Sequence, residues 1–203
     1  MQKKYSVIVF DLGNVLVPFN YDLVVKNFNE VSEGLGNRFI NYYKENYYIH
    51  RQFERGDISE DDFIEKMLIV LEHKVDKEKF CRDYSNLFTV NEDVANLLPL
   101  LKGKYKLILL SNTNSIHRKY GWNYYEFLKH FDKLILSYEV GAYKPEEKIY
   151  KAAEAFSQKP PQEHLFIDDV AEYVQGAKNI GWDGIQFSNY YNLLNELNLR
   201  NIF

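Results

Sequence analysis

Only one of the 203 residues is a cysteine, Cys81, so no internal disulfide can form. A lone cysteine usually packs as a small buried apolar side chain, and a chain without disulfides suits a reducing, cytoplasmic compartment. No run approaches the ~18 apolar residues that a membrane-spanning helix needs. The apolar stretch behind the charged start is too short for the core of a secretion signal, and no cleavage site follows it. A basic block or stripe is also missing: 25 Lys and Arg face 29 Asp and Glu, for a formal net charge of -4. Nucleic acid is therefore excluded as the primary partner. There is no internal repeat and no low-complexity tract. The 17 Tyr and 14 Phe follow no regular spacing, so they read as packing rather than as a stacking platform. With 46% hydrophobic residues, the chain can bury a core of one domain, or of one domain with an insert.

What is present is an alternation of strand-like and helix-like segments. Tyr5 to Phe10 is a short β-branched apolar run, as expected of a strand buried on both faces. Similar runs follow at Lys106 to Leu110, Lys133 to Leu136, His164 to Ile167 and Asp183 to Phe187. Residues 20 to 100 read as helical: Val24, Phe28 and Val31 share one face, and so do Phe63, Met67 and Leu71. Ser59-Glu60-Asp61-Asp62 resembles a capping box, and Asn91 is expected to cap a helix whose Val94, Leu97, Leu98 and Leu101 point one way. Val174, Ala177 and Ile180 form another face, closed by Gly181 as a C-cap. The predicted architecture is α/β, a Rossmann-like three-layer core with a parallel sheet.

The polar residues stand at the strand ends. Asp11, Ser111 and the Asp168-Asp169 pair each follow an apolar run, at the sheet edge where open α/β folds bind ligands. A lone Asp there is most often a cap or a solvated turn, and a paired Asp can be a plain N-cap. Several in one place would repel one another unless a hard cation joined them, and magnesium takes such oxygen ligands. Lys144 adds a positive charge, with Pro145 expected in the first turn of the next helix. Ser111 brings a hydroxyl, and its neighbours bring N–H groups suited to an anion. A carboxylate, a metal, a lysine and an N–H cradle together suit phosphoryl transfer.

Four segments in this order resemble the motifs of the haloacid dehalogenase (HAD) superfamily: Phe10-Asp11-Leu12-Gly13-Asn14-Val15-Leu16, Leu110-Ser111-Asn112-Thr113-Asn114, Gly141-Ala142-Tyr143-Lys144-Pro145-Glu146 and Phe166-Ile167-Asp168-Asp169. Within it, Asp-Leu-Gly-Asn-Val with the later Glu54-Arg55-Gly56-Asp57-Ile58-Ser59 resembles the branch of bacterial α-D-glucose-1-phosphate phosphatase. The resemblance implies a catalytic core of residues 1–15 and 89–203, with a helical cap of residues 16–88 inserted after the first strand. It implies Asp11 as nucleophile and as ligand of Mg2+, together with the Gly13 carbonyl and Asp169, and with Asp168 directly or through water. Ser111 and Asn112 would hold phosphate, and Lys144 would bridge it to the nucleophile. The implied activity is hydrolysis of a small phosphorylated metabolite, a sugar phosphate favoured, through an aspartyl-phosphate.

Two positions depart from the family pattern. Gly13 stands where most family phosphatases carry a second Asp as general acid and base, and Tyr173 stands where an acid or amide usually supports the lysine. Without a local acid the enzyme should favour leaving groups that need little protonation, or borrow His50 or Glu54 from the cap. Tyr42, Tyr43, Tyr47, Tyr48 and Phe53 of the cap read chiefly as packing, with a sugar-stacking surface as the alternative. Two other functions compete: a haloacid dehalogenase, which needs no metal and lacks the acidic pair, and a non-catalytic binder of a phosphometabolite. The oligomeric state stays open between monomer and weak dimer.

Overall fold

A computed structural model describes residues 4–203. Five strands, β1 (Val7–Phe10), β2 (Lys106–Ser111), β3 (Lys133–Leu136), β4 (His164–Asp168) and β5 (Asp183–Gln186), form one sheet in the order β3-β2-β1-β4-β5. All four pairings are parallel. The central strand β1 aligns Phe10 with Leu109 on one side and with Ile167 on the other. Successive residues point to opposite faces, and both faces are covered. Ile8, Phe10, Leu107, Leu109, Leu165 and Ile167 meet one helical layer, while Val7, Val9, Ile108, Leu110 and Phe166 meet the other. Double burial is why these strands read as unbroken apolar runs. Tyr5 lies before β1, where its hydroxyl bonds Asp183. Ser111 and Asp168 are the last residues of their strands rather than the first residues after them.

The first layer is α6 (Glu92–Ala95) and α7 (Leu98–Leu101) with α11 (Tyr190–Leu199), and the second is α9 (Glu147–Ser157) with α10 (Ala171–Asn179). Val94, Leu97, Leu98 and Leu101 are all buried as expected, but on two short helices. Asn91 does stand at the N-cap of α6, yet its amide donates to the Val15 carbonyl (3.0 Å) instead of capping. Gly181 has φ +93 and ends α10, with its N–H on the Lys178 carbonyl and that of Trp182 on Ala177.

Between β1 and α6 five helices, α1 (Tyr21–Val31), α2 (Leu35–Glu45), α3 (Tyr47–Arg55), α4 (Glu60–Val70) and α5 (Lys77–Ser85), pack a second core. Phe28, Phe39, Phe63 and Phe80 are fully buried in it, and each such ring stabilises by about 1.5–3 kcal/mol on burial. Side-chain caps start α1 at Asn20, α4 at Ser59 and α5 at Asp76. Gly56 closes α3 at φ +82, and a Cβ there would lie 2.6 Å from the Tyr138 carbonyl, so only glycine lets α3 approach α8 (Ser137–Val140) this closely. Cys81 is buried in the helical core. Phe53 stacks on Phe63 (4.3 Å) as packing, whereas Tyr47 and Tyr48 are exposed. No helix among the described residues is long and apolar enough to cross a membrane.

Candidate active site

Asp11 directly follows β1, and its backbone N–H continues the sheet by donating to the Ile167 carbonyl (2.9 Å). The chain then turns back within a few residues: the N–H groups of Leu16 and Val17 both donate to the Leu12 carbonyl, and Asn14 is held at φ 54. Asparagine tolerates that left-handed geometry, and here its amide donates to the Asp169 carboxylate (3.1 Å). Carboxylate oxygens of Asp11, Asp168 and Asp169 all lie within 4.8 Å of one another. The Lys144 Nζ is 2.7 Å from Asp11 and 2.6 Å from Asp168, and it is 1% exposed. The three acids and the lysine thus meet at the carboxyl edge of the three central strands.

The electrostatics are unbalanced. Burial pushes the Asp11 carboxyl up, the Lys144 ammonium pulls it back, and the Asp168 charge raises it again, to about 7. Burial opposes the charge on Lys144, but Asp11 and Asp168 outweigh it and hold the lysine above its usual range. Asp169 is raised as well, by burial, against the hydrogen bond from Asn14. Three carboxylates against one ammonium leave excess negative charge in a nearly dry site. Hard oxygen donors so close together fit a divalent cation such as magnesium.

The other expected residues collect here with altered duties. Ser111 is 2% exposed, and its hydroxyl makes a long 3.4 Å contact with the Asn112 carbonyl. The Asn112 side chain grips the Lys144 backbone, accepting its N–H (2.8 Å) and donating to its carbonyl (3.2 Å). The Thr113 N–H is not free for an anion, because it donates to Ser137 Oγ (2.9 Å). The Gly13 carbonyl accepts from the Val15 N–H (2.7 Å). Asp168 is fully buried behind Lys144 and accepts from the Val170 N–H (2.8 Å), but it does not cap α10, whose N-cap is Val170. Pro145 falls outside the first helical turn: α9 begins at Glu147 with Glu146 as its N-cap. Tyr173 offers its ring to the lysine, 5.1 Å from Nζ, in place of a polar partner.

Asp11, Ser111, Lys144 and Asp169 face a cavity of about 300 Å³ that the helices α1, α2 and α3 roof over. Tyr21, Tyr43, Tyr47, His50, Arg51 and Glu54 supply its polar roof. His50 Nε2 is 3.1 Å from Glu54, and its Nδ1 is 3.0 Å from the Tyr84 hydroxyl. Burial pushes Glu54 up, but His50 and Arg51 overcome this and keep it below the usual carboxylate range. Helix α3 is tied to the lysine segment by Arg51 over the Tyr143 ring (3.8 Å) and by Arg55 to Glu146 (2.5 Å). Sequence reasoning missed Asn14, Tyr21, His117 and Trp122, all of which line the cavity. Only the position of Asn14 inside the first motif could have signalled any of them.

The family profile for haloacid dehalogenase-like hydrolases matches residues 5–181. The chain belongs to that family. A curated relative, the D-ribitol-5-phosphate phosphatase of Bacteroides thetaiotaomicron, is 27% identical over 190 residues, covering 90% of this chain and 91% of the relative. A HAD family enzyme of the same organism, solved with magnesium and inorganic phosphate, superposes with a TM-score of 0.79 at 27% identity, over 91% of this chain and 94% of that one. The L-2-haloacid dehalogenase of Xanthobacter autotrophicus shares the fold at a TM-score of 0.61 and 20% identity, over 96% of this chain and 83% of that one.

Proposed function

We propose that this HAD-like hydrolase is a magnesium-dependent phosphatase of a small sugar or polyol phosphate, working through an aspartyl-phosphate at Asp11. The observation that carries this is the set of Asp11, Asp168 and Asp169 within 4.8 Å, with Lys144 bonded to Asp11 and Asp168, and with Asp11, Lys144 and Asp169 on the floor of a cavity that has a polar roof. An Asp11 oxygen attacks phosphorus; one O–P bond forms as the ester P–O bond breaks, and the leaving oxygen takes a proton. Water then attacks phosphorus, restoring the carboxylate and releasing phosphate. Ser111 and the Asn112 backbone hold the phosphate oxygens, and Lys144, steadied by Asp168, faces nucleophile and phosphate together. Asp11, the Gly13 carbonyl and Asp169 would hold magnesium, with Asp168 binding directly or through water. When bound, that ion offsets the clustered negative charge and stabilises the charge developing on the phosphoryl oxygens. Residues 16–88 serve as a cap that excludes water and selects substrate.

The activity of the D-ribitol-5-phosphate phosphatase supports the substrate class. A volume of about 300 Å³ suits a small phosphorylated metabolite. The acidic pair favours this reading over dehalogenation. The test is release of inorganic phosphate, with and without magnesium, from sugar, polyol, acyl and nucleotide phosphates. We expect metal-dependent turnover with the highest kcat/KM on a pentitol or hexose phosphate. Halide release from a 2-haloacid without metal would assign the dehalogenase, and no turnover on any ester would leave a binding role.

Gly13 yields a separate expectation. A Cβ there would lie 3.2 Å from the Phe19 ring, which is 41% exposed and free to give way. Gly13→Asp should therefore fold and place an acid near the leaving oxygen. Proton donation is commonly worth ~10²–10⁴-fold, so rates on simple alkyl phosphates should rise at least ~10-fold, more than on sugar-1-phosphates or acyl phosphates. An equal or lower rate would mean that the His50–Glu54 pair already delivers the proton.

A further inference from the structure

Helical spacing puts Tyr47, His50, Arg51 and Glu54 on one face of α3, and that face roofs the cavity. Its arginine and its acid are bonded to each other. Arg51 donates to one Glu54 oxygen at 3.1 Å, and the other Glu54 oxygen stands 3.1 Å from His50 Nε2. The Arg51 Cζ lies 3.8 Å from the centre of the Tyr143 ring. Neither side chain is sealed off: Glu54 is 9% and Arg51 22% exposed, and both line the cavity. Lys144 is the other Lys or Arg among the described residues that line it, and its ammonium is bonded to Asp11 and Asp168. Burial, with the help of His50, pushes the His117 ring down to about 3 and keeps it neutral. No lysine or arginine of this cavity is therefore left to receive a second anion.

An arginine above a substrate cavity ordinarily invites a carboxylate or a phosphate, because its fork of donors matches two oxygens. Here Glu54 takes that place. A carboxylate on the body of the substrate would meet a guanidinium already engaged and an ionised acid beside it. Like charges repel strongly where water is excluded. The other polar groups of the roof include phenols. The Tyr21 and Tyr43 hydroxyls are 2.7 Å apart, and burial pushes both above their usual range, so they stay protonated and uncharged. Phenols, and the lone pairs that a carboxylate keeps beyond two bonds, suit hydroxyl groups. We infer that Glu54 is a specificity-determining residue: by engaging Arg51 it reserves the cavity for phosphate esters with an uncharged, hydroxylated body and turns away those that carry a carboxylate. This rests on the phosphatase reading above and deepens it, by stating which phosphorylated metabolites are refused.

The test pairs a pentitol phosphate with the pentonate phosphate of the same chain length, which ends in a carboxylate instead of a hydroxymethyl group, on the full chain with magnesium. The parent should prefer the pentitol ester in kcat/KM by about tenfold or more. Glu54→Gln keeps the shape of the side chain and frees the guanidinium. The pentonate ester should then gain in absolute kcat/KM, mainly through KM, and the preference should shrink by about tenfold. Adding Arg51→Met to that variant should abolish the gain, because the released arginine is what binds the new carboxylate. A gain that survives the double substitution, or a loss shared equally by both esters, would overturn the proposal. Arg51→Met alone leaves Glu54 in place and should widen the preference. It decides the matter if Glu54→Gln does not fold, and an unchanged preference in it would overturn the proposal. A parent that hydrolyses neither ester would fail the phosphatase reading alone, and the same comparison is then made as dissociation constants by calorimetry. Tighter binding of the pentitol ester, narrowed by Glu54→Gln, supports the role of Glu54. Equal binding of the two esters, or binding of neither, overturns it.

Discussion

Asp11→Asn should lower phosphate release by at least ~10⁴-fold and at the same time raise Tm by a few degrees in EDTA. The first effect follows from removing the attacking oxygen, because an amide does not form the acyl-phosphate. The second follows from the charge balance. The Asp11 carboxylate is 7% exposed and shares its site with Asp168 and Asp169. Asparagine keeps the shape and an oxygen for Lys144, whose other bond, to Asp168, is untouched. For a chain of this size a gain of about 1 kcal/mol corresponds to roughly 2–4 °C. Magnesium should then stabilise the variant less than the parent, since one ligand is gone. A lower Tm in EDTA would show that the Asp11–Lys144 contact outweighs the repulsion among the acids.

Lys144→Met should act in the opposite direction on stability and the same direction on rate. It removes the ammonium that bonds both Asp11 and Asp168 and leaves buried carboxylates without that counter-charge. Breaking a buried pair by deleting one partner costs about 3–5 kcal/mol, so Tm in EDTA should fall by roughly 10 °C. Magnesium should recover part of this, with a larger Tm shift than in the parent, because the folded form alone binds it. Turnover should drop by ~10³-fold, the scale of losing one group that stabilises transition-state charge. An unchanged Tm in EDTA would mean that the acids do not depend on the lysine for their approach.

The strands were legible because burial on both faces writes an unbroken apolar run, and the acids at their ends were legible because several polar groups follow separate apolar runs. Side-chain direction was not. Asn91 sits at the N-cap it was expected to fill but turns its amide to Val15. Asn112 spends its side chain on the Lys144 backbone. Each choice depends on a partner 32 or more residues away. The π-helix of His117–Trp122 left no trace either, since a wider winding over six residues imposes no periodicity that sequence can display. His117 and Trp122 therefore looked like ordinary residues after a motif. Tyr173 was read as a missing polar support, whereas its ring faces the lysine.

The position of β1 in the middle of the sheet has a consequence for synthesis. Its partners are residues 106–109 on one flank and 164–167 on the other. The strand that leads into Asp11 leaves the ribosome before both of its partners, and its second edge stays open until β4 has emerged. At ~5–20 residues per second, the interval between the two partner strands lasts on the order of 3–12 s. Through that time an apolar, hydrogen-bond-hungry edge is exposed. The helices of residues 21–85 are complete earlier and can collapse around Phe28, Phe39 and Phe63 while the sheet waits. Asp168 and Asp169 arrive with β4, so the nascent chain meets its own concentration of negative charge only when β1 gains its second partner.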